Sequence, residues 1–204
     1  MTLLFTIFLI LAYVIGSIPT AVWVGKAFYN KDVRDFGSGN AGTTNTFRVL
    51  GKKAAIPVLI IDVLKGWISV YILSHSLGID TFSNDFIYNQ LGLGAAVVVG
   101  HIYPVFANFR GGKGVATTLG VVIAIDPISA SSCLGIFIIV LIISRTVSIS
   151  SMIAALSFPV FVIFVYKTPY QSLMIFSVIM SLLIILTHTK NIKRLINGEE
   201  PKTF

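Results

Sequence analysis

The sequence predicts an all-α integral membrane protein of about seven transmembrane helices, one of them short or re-entrant, with the N-terminus outside and the C-terminus cytoplasmic. Three observations carry this expectation. Of the 204 residues, 55% are hydrophobic and only 11% charged, and the mean hydropathy is +0.91, whereas about a quarter of a soluble domain is charged. The apolar residues gather in runs near the length a helix needs to cross about 30 Å of hydrocarbon. Every Lys and Arg except Lys65 and Lys167 falls in connections on one side of those runs, and such connections stay cytoplasmic.

Taken in order, the expected spans cover residues 2–24, 54–73, 89–107, 115–125, 128–144, 151–166 and 170–187. The first has no basic leader and no small-residue cleavage site, so it reads as a span and not as a removable signal peptide. The fourth is too short to cross alone. It either begins in the preceding glycine stretch or sits in a re-entrant position. No repeat, linker or charge run divides the chain, which is expected to be one domain over residues 1–204. Cys133 lies in an apolar run, so neither a disulfide framework nor a cysteine metal cluster is expected. The net charge of +7 does not point to nucleic acid, because the cations are neither in runs nor interleaved with aromatics.

The polar chemistry is concentrated in the cytoplasmic connections. Residues Gly37 to Arg48 hold three glycines, four hydroxyl side chains, two carboxamides and a guanidinium. That composition suits an oxyanion. Gly37, Gly39 and Gly42 let backbone N–H groups turn toward a ligand; Ser38, Asn40, Thr44 and Asn45 add donors, and Arg48 can grip two oxygens. A polar turn is the alternative for the same residues. The Gly-x-Gly-x-x-Gly spacing is not a dinucleotide fingerprint, since no strand precedes it. Lys52 and Lys53, at the start of the next span, read as topological anchors.

Inside the second span Asp62 and Lys65 share a helical face. Each alone costs about 2.5–3.5 kcal/mol at the bilayer centre. They form a structural ion pair, or Lys65 helps hold an anion. In the second cytoplasmic stretch, Gly111, Gly112, Lys113 and Gly114 open the short fourth helix, where free N–H groups, the positive helix end and a lysine converge. His101 lies deeper, as part of either the site or its scaffold. Ser148, Ser150 and Ser151 can cap the sixth helix, or one can serve the site. At the end of the last span, His188 and Asn191 share a helix face, and Lys190, Lys193 and Arg194 suit an anionic lipid surface. His75 and Asp80 fit an HxxxxD acyltransferase pattern, but the topology puts them outside, so the match is read as chance.

Three blocks together resemble the bacterial acyl-phosphate:glycerol-3-phosphate acyltransferase family: GSGNAGTTNTFRVLGKKAA from Gly37, GHIYPVFANFRGGKGVAT from Gly100 and HTKNIKRLINGEE from His188. The run Asp62 to Gly66 is also similar. This resemblance implies a seven-helix enzyme in the bacterial inner membrane, with its active site facing the cytoplasm. It implies transfer of a fatty acyl group from acyl phosphate to the 1-hydroxyl of glycerol 3-phosphate, giving lysophosphatidic acid and phosphate. No metal or other cofactor is implied. Functional coupling to an enzyme that makes acyl phosphate is. Ser38, Thr44, Arg48, Lys113, His188 and Asn191 match the family's polar positions; Ser148 and Ser150 match a further one loosely.

Acyl phosphate is already activated, so the expected chemistry is direct transfer without an acyl-enzyme. Ser38 then orients substrate and does not attack it. The proton goes to the donor's phosphate, or to His188 as general base. The alternative function is a transporter of phosphate or an organophosphate, which would place its polar residues near the midplane and show repeat symmetry.

Overall fold

The computed structural model describes residues 3–203, and their regular structure is helical throughout. The chain divides into two compact units, Met1–Ile125 and Asp126–Phe204, each described by itself. Among the described residues four helices are long and apolar enough to cross a membrane, or up to six when each of two bent pairs counts as one span.

The first unit contains α1 (Leu3–Gly16), α2 (Thr20–Tyr29), α3 (Thr43–Leu50), α4 (Lys52–His75), α5 (Asn84–Ile102) and α6 (Val115–Ile125). The expected first span, whose residue Thr2 lies outside the described residues, is not one straight helix. It breaks after Gly16 and resumes at Thr20 with a 40° bend. Pro19 supplies no N–H, and its ring obstructs a helical turn before it. The expected third span begins earlier than its apolar run, at Asn84, where Ser83 Oγ accepts from Phe86 N at 3.2 Å. That is N-cap chemistry. It ends at Ile102, and a 3-10 turn over Val105–Ala107 follows Pro104.

Helix α6 spans the predicted residues, and at 11 residues it reaches about half the hydrocarbon thickness. It is clasped to α4 by glycines. A Cβ on Gly66 would strike the Thr117 carbonyl, and one on Gly120 the Val63 carbonyl. Gly16 and Gly100 bring α1 and α5 together in the same way. Without a hydrophobic driving force between helices in lipid, such close backbone approach is how they associate.

The second unit contains α7 (Pro127–Ser144), α8 (Val147–Val160), α9 (Gln171–Thr187) and α10 (Thr189–Ile196). Helix α8 starts four residues before its expected span and passes beyond Pro159 into a π-helical turn over Phe161–Val165, a common accommodation of a lost helical hydrogen bond. Helices α9 and α10 bend by 58° at His188.

Candidate active site

In the first unit the Gly37–Arg48 block is a turn feeding α3. Gly37 and Gly39 hold φ of +60° and +71°, a region that favours glycine. The turn is braced by Asn45, whose Oδ1 accepts from Ser38 N at 2.8 Å and whose Nδ2 donates to the carbonyls of Val33 at 2.7 Å and Phe36 at 3.1 Å. Asn45 is fully buried. Expected to contact substrate, it instead shapes the loop. Gly39 N donates to Phe36 O, and Ala41 N to Gly111 O. Much of the expected backbone cradle is thus turned inward. Thr44 and Arg48 lie one turn apart on a shared face of α3, with Ser38 in the turn before them.

Arg34, not singled out from the sequence, ties this loop to the next. Its Nε and Nη2 donate to Asp32 at 2.9 and 2.7 Å, and Nη1 donates to the Ala107 carbonyl at 2.9 Å. Lys26 Nζ adds a contact to Asp32 at 3.3 Å. The hydrogen bond from Arg34 holds the Asp32 carboxyl far below the usual carboxylate range, against burial, which pushes it up.

Deeper in the same unit, Asp62 Oδ1 accepts from Thr20 Oγ1 at 3.0 Å, meets Lys65 Nζ at 2.9 Å and stands 3.8 Å from His101 Nδ1. Lys65 Nζ also donates to the Ile18 carbonyl at 3.1 Å. The helix break between α1 and α2 explains that contact: it takes the Ile18 carbonyl out of the regular helical ladder, where it accepts from Thr20 N at 3.0 Å and has room for a lysine inside the span. Lys65 was expected as a possible anion ligand, but its ammonium is held in this buried cluster.

The second glycine stretch also departs from expectation. Gly112 N donates to His101 O at 3.1 Å and Gly111 N to Ile102 O at 3.2 Å, so these two N–H groups close the end of α5. A Cβ on Gly111 would collide with the His101 carbonyl, and one on Gly112 with His101 Nε2. These glycines serve close packing. Lys113 follows, half-buried, and Gly114 at φ +84° turns the chain into α6, whose first-turn N–H groups form its positive end.

In the second unit the C-terminal tail folds back. Glu200 Oε1 accepts from Ser148 Oγ at 2.9 Å and from Asn191 Nδ2 at 2.6 Å; Oε2 accepts from Arg194 Nε at 2.6 Å. Thr203 N donates to the Arg145 carbonyl at 2.7 Å. Burial would raise the Glu200 pKa, but the bonds from Arg194, Asn191 and Ser148 win and lower it. The serines are thereby distinguished. Ser148 joins Glu200, whereas Ser150 Oγ donates back to the Thr146 carbonyl at 2.9 Å. Neither makes a side-chain cap for α8. His188 is buried, with Nδ1 2.7 Å from the Ile184 carbonyl. A carbonyl only accepts, so Nδ1 carries the proton and Nε2 presents a lone pair in the neutral ring.

The two residues of the HxxxxD match are taken up in local hydrogen bonds. His75 Nδ1 bonds the Tyr71 carbonyl at 2.6 Å, and Asp80 accepts from Phe82 N at 3.0 Å.

A family model for glycerol-3-phosphate acyltransferase matches residues 6–198. The chain belongs to this family. This acyltransferase is 44% identical over 199 residues to the glycerol-3-phosphate acyltransferase of Fusobacterium nucleatum, covering 97% of both chains. It is 44% identical over 203 residues to that of Listeria monocytogenes serotype 4a, covering 99% of this chain and 98% of the relative. The solved structure of PlsY (YgiH), an integral membrane glycerol 3-phosphate acyltransferase, in its glycerol 3-phosphate form is similar at TM-score 0.85 and 38% identity, covering 97% of this chain and 94% of that one. Its lysophosphatidic acid form is similar at TM-score 0.82. The acyltransferase is accordingly an integral membrane protein.

Proposed function

We propose that this acyltransferase moves a fatty acyl group from acyl phosphate to the 1-hydroxyl of glycerol 3-phosphate, as one catalytic domain over residues 1–204. The acylation of glycerol 3-phosphate to lysophosphatidic acid rests on one observation above all. The similar solved structure exists in a glycerol 3-phosphate form and a lysophosphatidic acid form, the acceptor and product of one acyl transfer. The donor, the direct mechanism and the residue roles are our reading of the chemistry.

In that reading the acceptor oxygen attacks the acyl carbonyl carbon, the carbonyl–phosphate C–O bond breaks, and the hydroxyl proton leaves with the departing phosphate. Both substrates carry phosphate, so the first problem is anion repulsion. Arg48, Lys113 and the positive end of α6 offset it, and Ser38 and Thr44 donate hydrogen bonds. Asn191, through the amide N–H not given to Glu200, His188 and backbone N–H groups orient substrate or the carbonyl oxygen; one well-placed oxyanion donor is worth about 10²–10³ in rate.

The tautomer of His188 favours a second reading for the proton alone, with Nε2 as general base. The cationic connections support a cytoplasmic site in the inner membrane, with an enzyme that makes acyl phosphate as its functional partner.

Purified protein in lipid is expected to form lysophosphatidic acid from acyl phosphate and none from acyl-CoA; the reverse preference contradicts the donor. A stable labelled acyl group on Ser38, trapped without acceptor, contradicts direct transfer.

A further inference from the structure

Between the broken first span and the Lys113 loop runs a chain of buried contacts that the reaction, as set out above, does not use. Asp62 Oδ1 takes Thr20 Oγ1 and Lys65 Nζ, and Lys65 holds the carbonyl of Ile18 at the α1–α2 break. His101 stands with Nδ1 toward this carboxylate, at 3.8 Å. The other side of its ring is pressed against Gly112. The three heavy atoms nearest a Cβ at Gly112 are all in that ring: Nε2, Cε1 and Cδ2. The His101 carbonyl accepts from Gly112 N, so main chain and side chain of one residue both hold the loop immediately before Lys113.

We propose that His101 is a positioning residue: buried beside Asp62, its imidazole sets the Gly111–Gly112 backbone and thereby the placement of Lys113 and the first turn of α6. The inference rests on the reading of Lys113 as an anion ligand.

Two features make the idea testable. Gly112 is not among the residues with positive φ, so Gly112→Ala introduces a steric change without backbone strain. Its collision is with a side chain that can be removed. Gly111 differs, because a Cβ there meets the backbone carbonyls of His101 and Ile102, which no side-chain truncation relieves.

The experiment is a set of steady-state measurements in lipid on Lys113→Ala, His101→Ala, Gly112→Ala, Gly111→Ala and the two doubles containing His101→Ala. Monodispersity and melting temperature are followed for each, and His101→Gln replaces His101→Ala if the latter does not fold. Lys113→Ala identifies the substrate whose KM depends on the loop. For that substrate His101→Ala and Gly112→Ala are each expected to raise KM about tenfold with kcat changed far less. The His101→Ala/Gly112→Ala double is expected to be no worse than the worse single, and the Gly111 double to show the product of its singles.

If the His101 and Gly112 losses multiply, to about a hundredfold, the positioning role is overturned while the anion-loop reading stands. Losses confined to kcat, or an unchanged KM in His101→Ala, overturn it as well. If Lys113→Ala leaves both KM values unchanged, the anion-loop reading itself fails.

Discussion

Glu200 joins Ser148, Asn191 and Arg194 through one carboxylate whose side chain is 1% exposed. Replacing it with Gln keeps the shape and removes the charge. Hydrogen bonds to a charged group are worth about 1.5–3 kcal/mol, so Glu200→Gln is expected to lower stability by about that much, read as a lower melting temperature in detergent. The pH dependence has a definite sign. A carboxyl lowered by folding stabilises fully above its unfolded value, about 4.3, and that contribution fades as pH falls through the folded value. The melting-temperature gap between wild type and Glu200→Gln is therefore expected to be constant at neutral pH and to narrow below about pH 4. Glu200 was invisible in the sequence because one acid after a basic stretch carries no signal until the tail folds back. Asn45 misled for a related reason: the amide that can grip a ligand can equally brace a turn. His188, Asn191 and Ser148 were legible as residue types, but the tautomer of the first and the partner of the other two required coordinates.

At the scale of elements, the legible parts were those where apolar length decides. Helix α6 matches its expected residues because the glycine stretch before it and Asp126–Pro127 after it leave no alternative. The α1–α2 break was not foreseen, since a proline inside an apolar run is tolerated in membranes and its effect depends on what satisfies the freed carbonyl. Here Ile18 N bonds the carbonyl of Ile15, and Lys65 adds a bond to the carbonyl of Ile18, so the pair braces the bend. Lys65→Met alone leaves Asp62 buried without its ammonium and is expected to cost about 3–5 kcal/mol. The Asp62→Leu/Lys65→Met double removes both charges and is expected to be less damaging than Lys65→Met; thermal melting of both variants checks the order. The glycine clasp makes a separate prediction. Gly120→Ala drives a Cβ into the Val63 carbonyl, a backbone contact that cannot swing aside. Overpacking of this kind costs about 1–3 kcal/mol, so the variant is expected to melt lower.

At the scale of the whole molecule, composition and the sidedness of the cations made the membrane class readable, and three separated polar blocks made the family readable. The physics of anion binding is what joins those two facts. A chain with few charges keeps Arg48 and Lys113 beside glycine turns, and the glycines turn out to place elements closely more than to offer N–H groups. The central claim is acyl transfer from acyl phosphate to glycerol 3-phosphate. The most direct measurement supplies both compounds to the purified protein in sealed vesicles and follows lysophosphatidic acid, released phosphate and movement of each solute across the bilayer. The expected result is equal amounts of lysophosphatidic acid and phosphate, formed only when both substrates are present. Movement of phosphate or glycerol 3-phosphate across the bilayer with no lysophosphatidic acid formed would contradict it.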